Sequence, residues 1–256
     1  MTESRPPEPI DRIDRLVRRM NEVERNLTGP YVRPKDAGTL ILVDRTGRKP
    51  KVLLGKRHAG HAFMPGKYVF PGGRVDRADA RMPVARPLAR ELETLLMNRV
   101  QRPSPGKARA LALAAIRETF EETGIILGAP AREPAPAAPQ GPWAAFVRAN
   151  VLPDLSALQL IGRAITPPGR PRRFDARFFT IDASRIADRL EGVTGPDAEL
   201  IELVWMPLQE AAQLDLPAVT RVMLEELDLR IAAGFRQDLP VPFYRMPRGR
   251  FLREIL

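Results

Sequence analysis

The sequence predicts a single α/β domain with an extension at each end. Three observations predict it. Short apolar runs of strand character alternate with segments of helical spacing between residues 39 and 233, no internal repeat occurs, and no second segment is large enough to build a core of its own. The expected divisions are an N-terminal extension over residues 1–36, a domain over residues 37–235 and a C-terminal tail over residues 236–256.

Each element has its own reason. Pro9, Ile10, Ile13, Leu16, Val17, Met20, Val23 and Leu27 recur at helical spacing, and Gly29-Pro30 stops that helix. Residues 39–44 and 52–56, separated by a turn at Gly47, read as a hairpin or as adjacent strands. The glycines and proline of residues 58–67 make a loop, Tyr68-Val69-Phe70 a short strand, and Pro71-Gly72-Gly73 a forced turn. Prolines at 83, 87, 103 and 105 mark residues 80–107 as an insertion around a possible helix over 88–100. Residues 108–123 are good helix formers, with Gly106 ahead of the helix and Gly124 placed to end it. An Ala- and Pro-rich stretch, residues 129–142, reads as an exposed loop. Strands are expected over 173–181 and 200–205 and helices over 207–214 and 217–233, followed by a Pro- and Arg-rich tail.

Bulk composition narrows the chemistry. The chain has 256 residues, 44% of them hydrophobic, enough for a substantial core. It has no apolar stretch near the roughly 18 residues that a membrane span needs and no signal-like start, so a soluble, cytoplasmic protein with no membrane partner is expected. The absence of cysteine excludes disulfides, a thiol nucleophile and Cys-built zinc sites, so any metal must be held by oxygen or by the two histidines. The formal charge is +10, and only six of the 41 basic residues are lysine, which favours attraction to polyanions, from nucleic acid to small phosphate-rich ligands. An Ala-, Arg- and Pro-rich composition also follows from a GC-rich genome, and scattered arginine is usually solvated surface. Nucleic acid is therefore not the expected partner.

The helix over residues 108–123 carries the candidate chemistry. With about 100° per residue, Glu118, Glu121 and Glu122 fall at about 0°, 300° and 40°, whereas Ile116, Phe120 and Leu113 fall at about 160°, 200° and 220°. The acids thus share one face and the apolar anchor takes the other. Like charges at this spacing cost a few tenths of a kcal/mol per pair, roughly, and a divalent cation would remove that cost. Mg²⁺ takes oxygen ligands, keeps several waters and bridges to phosphate oxygens, so clustered carboxylates suit it. A solvated acidic face is the other reading of the cluster taken alone. Gly72-Gly73, after an apolar strand, lets backbone approach a ligand or metal closely, although an ordinary tight turn has the same residues.

Phe70-Pro71-Gly72-Gly73-Arg74-Val75-Asp76, taken with Arg117-Glu118-Thr119-Phe120-Glu121-Glu122-Thr123-Gly124-Ile125, resembles the two halves of the Nudix box. The second half matches every fixed charged and glycine position, and Thr119 departs from a usually hydrophobic one. Counting from Gly73, the first acidic position of the box falls on Asp79, and 37 residues separate it from Arg117 where the usual box has seven, so about 30 are inserted. Either Asp79 or Asp76, or neither, fills the place of the acid that pairs with Arg117. His58, His61, Phe63, Met64, Pro65 and Gly66, leading into Val69 and Phe70, together with the Pro171-Arg172-Arg173-Phe174-Asp175 run, are similar to the peroxisomal coenzyme A diphosphatase-like branch, whose box is also split. The similarity spans roughly residues 37–233.

The resemblance implies a Nudix-type α/β/α sandwich with a mixed sheet, an insertion inside the box at about residues 80–107, and helical terminal extensions. It implies that the Gly72 carbonyl, Glu118, Glu121 and Glu122 hold one or more Mg²⁺ or Mn²⁺ ions. Arg117 would brace the loop through a carboxylate, and Glu118 itself, Glu199 or Glu202 would serve as general base. Arg57 and Phe63 are candidate substrate contacts, and Arg173, beside Arg172, is a candidate for an anionic group such as a 3′-phosphate. Tyr68 and Met64 could meet a base or an acyl chain. His58 and His61 have the spacing of a metal pair, but no third nitrogen or sulfur ligand exists in the chain, so zinc is not expected. The expected reaction is hydrolysis of a diphosphate bond in a nucleotide-containing small molecule, coenzyme A or acyl-coenzyme A first and ADP-ribose or a nucleoside diphosphate sugar second. A non-catalytic Nudix module binding nucleic acid or protein is the alternative of another class. A homodimer is a possible assembly.

Overall fold

Ten consecutive residues, Lys35–Asp44, form a long inner strand of the computed structural model, which describes residues 9–22, 31–60, 64–132, 137–236 and 238–256. The elements in chain order are α1 (Pro9–Glu22), β1 (Lys35–Asp44), β2 (Lys51–Arg57), β3 (Tyr68–Val69), β4 (Gly72–Arg74), α2 (Arg90–Met97), α3 (Pro105–Thr123), β5 (Ile125–Leu127), β6 (Ala129–Pro130), α4 (Trp143–Arg148), β7 (Val151–Leu152), β8 (Gln159–Ile165), β9 (Phe174–Asp182), β10 (Ile186–Arg189), β11 (Leu200–Pro207), α5 (Leu208–Ala211), α6 (Ala218–Ala232), β12 (Pro242–Arg245) and β13 (Leu252–Ile255). The main sheet runs β11-β2-β1-β9-β8-β12-β13, with β3 attached to β2 and β4 to β1. It is mixed: β1 is parallel to β9 and β12 to β8, while the other pairs are antiparallel.

The sheet is buried on both faces, which is why β1 reads as a continuous apolar run rather than an alternating one. Leu40, Leu42, Leu53 and Phe179 pack with Leu111, Ala115, Ile116 and Phe120 of α3 and with Trp143 and Phe146 of α4. Ile41, Val43, Val52, Leu54 and Phe178 pack on the opposite side with Ile13 and Met20 of α1 and with Val222, Met223 and Leu227 of α6. The result is an α/β/α sandwich, as expected. Each buried leucine here is worth about 2–5 kcal/mol against alanine.

One opening in this sheet positions the site. β1 and β2 pair only at their closed end, Val43 with Val52 and Asp44 with Lys51. Further along they part, and the segment holding β3 and β4 fills the gap, β3 on Gly55 and Lys56 of β2 and β4 on residues 37–39 of β1. Pro71-Gly72-Gly73, expected as a turn, is therefore half strand: Gly72 and Gly73 pair with Thr39 and Gly38, because β1 offers an unpaired edge there.

Several boundaries differ from expectation for local reasons. α3 begins at Pro105, not after Gly106: Ser104 accepts the Lys107 N–H at 3.2 Å and Pro105 takes the first turn, where its missing N–H costs nothing. The insertion contributes α2, whose Leu92 and Leu96 join the α3-side core. Ala129 and Pro130, expected in an exposed loop, pair with Leu152 and Val151. The tail, expected to lie outside the domain, supplies β12 and β13, and Tyr244 and Phe251 enter the core. Residues 151–165 hold β7 and β8, which were not expected. The expected helix over 9–27 is present as α1, and residues 23–30 lie outside the described residues.

Candidate active site

α3 lies close against β1 because small residues meet there. A Cβ on Gly38 would stand 2.5 Å from the Leu111 carbonyl oxygen and 2.8 Å from the Ala115 nitrogen. This close approach carries the acidic end of α3 over β4. Gly124, at φ 75°, then ends the helix just past the acids, its N–H bonded to the Phe120 carbonyl at 2.8 Å. Thr119, at the position the box usually fills with an apolar residue, is fully buried, and its hydroxyl donates to the Ala115 carbonyl at 2.8 Å, which explains why it is tolerated.

Two of the three glutamates meet the glycine corner. Glu122 Oε2 accepts the Gly72 N–H at 3.3 Å. The Glu118 carboxylate occupies the space a side chain at residue 73 would need, since a Cβ there would lie 2.4 Å from its carboxyl carbon. Glu121 turns towards Arg117, whose Nη1 donates to Glu121 Oε2 at 3.1 Å and to Glu118 Oε1 at 3.0 Å. Arg117 is fixed from its other side: Nε donates to Asp79 Oδ1 at 2.7 Å and Nη2 to Asp79 Oδ2 at 3.2 Å and to the Arg74 carbonyl at 2.8 Å. Asp79, fully buried, thus fills the place left open between it and Asp76. Asp76 caps the short turn instead, accepting the Ala78 N–H at 2.8 Å.

The electrostatics follow from this geometry. Burial pushes the Glu118 carboxyl up to about 7, against the pull of Arg117. Burial, and then the charges of Glu199 and Glu118, hold Glu122 well above the ordinary carboxylate range. Arg117 stays protonated despite its desolvation, because Asp79, Glu118 and Glu121 all favour its charge. Burial outweighs the pull of Arg117 on Glu118 and of Arg57 on Glu122.

Glu199 and Arg57 close the opposite wall. Arg57 Nη2 lies 2.8 Å from Glu199 Oε1, and the His58 N–H donates to the Glu199 carbonyl at 3.3 Å. Glu202 points elsewhere, its Oε2 3.5 Å from the Tyr68 hydroxyl, and Lys56 Nζ lies over the Tyr68 ring at 5.7 Å. Arg173 does not reach the corner. It is buried at the far end of β1, beside Lys35, and its guanidinium donates to the carbonyls of Thr166 and Val32 at 3.0 and 2.7 Å, so it braces the chain rather than facing a substrate. His58 Nδ1 accepts the Gly60 N–H at 2.9 Å. Phe63 and His61 lie outside the described residues. Sequence reasoning missed Gly55, over which Leu200 packs, although an isolated glycine inside a strand run is the signal for such a close approach.

Among the described residues no three acidic or histidine side chains already stand together as a complete metal shell. Mg²⁺ needs less than that, since it is commonly held by one or two carboxylates with water and substrate phosphate completing the octahedron. Two desolvated carboxylates, an all-oxygen donor set and no cysteine fit a hard cation.

No family model matches the chain. The crystal structure of a NUDIX hydrolase from Alicyclobacillus acidocaldarius shares its fold, with a TM-score of 0.58 and 26% identity, over 79% of this chain and 97% of that one. Acyl-coenzyme A diphosphatase NUDT19 of Gallus gallus is 31% identical, with 56% of this chain and 53% of that protein covered. In sequence and in fold the chain is similar to Nudix hydrolases. The Caenorhabditis elegans protein described as nudix hydrolase 7 is 24% identical, over 69% of this chain and 52% of its own. The chain thus spans about half the length of these curated relatives. Its Nudix box is split between β4 and α3, and the Arg117–Asp79 pair rejoins the two halves across the insertion. Among the described residues no helix is long and apolar enough to cross a membrane.

Proposed function

We propose that this Nudix chain hydrolyses a diphosphate bond in a nucleotide-containing substrate with a divalent cation, Mg²⁺ or Mn²⁺, and that coenzyme A or an acyl-coenzyme A is the substrate. One observation carries the reading: Glu118 and Glu122 converge on Gly72-Gly73 as desolvated carboxylates, with Glu199 and Arg57 facing them. The similarity to the acyl-coenzyme A diphosphatase supports the substrate class.

Glu118 and Glu122 would hold the cation, with the Gly72 carbonyl and Glu121 as further oxygen donors. Bound there, the cation would offset diphosphate charge and acidify an attacking water. Arg117 positions the acids and contacts no substrate, because its donors are taken by Asp79, Arg74, Glu118 and Glu121. Glu199 would accept the proton from water, a reading supported by its 45% exposed side chain and by its charge acting on both buried acids. Glu202, turned to Tyr68, is the weaker candidate. Arg57, ion-paired with Glu199, would be the cation nearest the developing phosphoryl charge.

A panel of coenzyme A, dephospho-coenzyme A, ADP-ribose and nucleotide sugars, each assayed with Mg²⁺ and with chelator, tests the reading. Metal-dependent release of 3′,5′-ADP from coenzyme A, slowed on dephospho-coenzyme A, is expected. Preference for ADP-ribose would overturn the substrate, and no turnover of any diphosphate would overturn the activity.

A further inference from the structure

A concentration of positive charge lies at the end of α3 remote from the acids. A cavity of about 330 Å³ opens there, lined by Arg33, Gln101, Arg102 and Lys107, three cations and a carboxamide with no acid among them. Along the helix, Lys107 stands about 16 Å from Glu118, so the cavity is separate from the glycine corner. Its charges are incompletely answered among the described residues. Arg102 has no ion pair or side-chain hydrogen bond there, and Arg33 donates to a neutral acceptor, Gln101 Oε1, at 3.2 Å. Lys107 Nζ reaches Asp36 Oδ2 at 2.9 Å, but Arg177 Nη1 holds the other oxygen of the same carboxylate at 2.8 Å. Behind it, Asp175 is shared by Arg163 and Arg177. Two carboxylates thus serve three cations before Arg33 and Arg102 are counted. Arg177 shows the shortfall directly: its side chain is 1% exposed, yet its Nη2 has no hydrogen-bond partner among the described residues.

We propose that this cavity binds the phosphate group of a small molecule, at a site apart from the acidic corner. Nothing in it depends on diphosphate hydrolysis. The volume lies at the small end of the range for small-molecule sites, roughly 300–1,000 Å³, and the lining is charged where such sites are usually apolar, so the occupant is a compact anion. Guanidinium groups from two separate segments match phosphate oxygens in pairs, and Gln101, whose oxygen is taken by Arg33, has its amide N–H groups to donate. The amino end of the 19-residue helix adds charge of the same sign. A cavity of four residues takes one phosphate group, whereas the spaced phosphates of a nucleic acid call for a longer run of cations.

Titration of the full chain with inorganic phosphate, in chelator and at constant ionic strength, tests the site by calorimetry and by melting temperature. Saturable 1:1 binding that raises the melting temperature is expected. Arg102→Ala should weaken it about tenfold, and Arg33→Ala combined with Arg102→Ala about a hundredfold. Both side chains are exposed, so the phosphate-free variants should melt near the wild type. Arg102→Gln, with the same tenfold loss expected, supplies the reading if an alanine variant does not fold. No saturable binding, equal displacement by chloride, or unchanged binding in the double variant overturns the site. An RNA oligonucleotide that binds tightly and is lost in the double variant, with phosphate held no better than chloride, would make this a nucleic-acid surface and overturn the small-molecule reading.

Discussion

Arg117 grips both oxygens of Asp79, a residue 38 positions earlier in the chain, through Nε at 2.7 Å and Nη2 at 3.2 Å. The pair is almost wholly buried, with side-chain exposures of 7% and 0%, and it ties the acidic end of α3 to the segment after β4. A split box works as one unit because this bond closes it from inside, while the insertion leaves and returns on the outside. Loop closure costs little extra for a longer insertion, since the entropy grows only logarithmically.

Asp79→Asn leaves Arg117 as a buried charge without its strongest partner. The expected cost is about 3–5 kcal/mol, the usual consequence of breaking a buried pair from one side. Denaturant unfolding measures it, and a loss under about 1 kcal/mol would show the pair to be dispensable.

Glu122→Gln should separate stability from function. The buried carboxylate has one backbone donor and stands near two other acids, so the neutral amide should raise the melting temperature of the metal-free protein. Turnover should fall by orders of magnitude, which a near-wild-type rate would contradict.

Two glycines give contrasting variants. Gly73→Ala would push on the Glu118 carboxylate, the far end of a flexible side chain, and should weaken Mn²⁺ binding with little loss of stability. Gly38→Ala would push on the α3 backbone at Leu111 and Ala115 and should cost about 1–3 kcal/mol of stability as an overpacking change. Thermal melts and Mn²⁺ titration of the two variants should give opposite patterns.

The metal-free protein should lose stability as pH rises through about 7. Glu118 titrates at an ordinary 4.5 when unfolded and at about 7 when folded, so the folded state binds the proton more tightly. That contribution is complete below the unfolded value and disappears as pH passes the folded value, and Glu122 shifts in the same direction. Mn²⁺ competes with these protons, so saturating metal should flatten the fall. Melting temperatures between about pH 5 and pH 8, with and without metal, check both statements, and a metal-free protein that gains stability over that range would refute the assignment.

The sequence by itself determined the helix of the box, its acidic face and its glycine stop, because those depend on spacing along one element and on local backbone preference. It determined the α/β class and the strands of β1, β2, β9 and β11, whose apolar runs are long enough to read. It left Asp79 and Asp76 as equals, since both are aspartates near the right count, and only the fold buries one of them against Arg117. The tail showed no clear period: β12 and β13 become strands by pairing with β8 and with each other, and Tyr244 and Arg253 are satisfied there by Glu226 of α6. Arg173 looked like an anion reader because an arginine beside a strand shows its charge but not its neighbours; the carbonyls of Thr166 and Val32, one of them 141 residues away, take its donors. Tertiary structure alone brought Glu199 and Arg57 opposite Glu118 and Glu122, because a bulge and the meeting of two distant strands are properties of the assembled sheet and of no single segment.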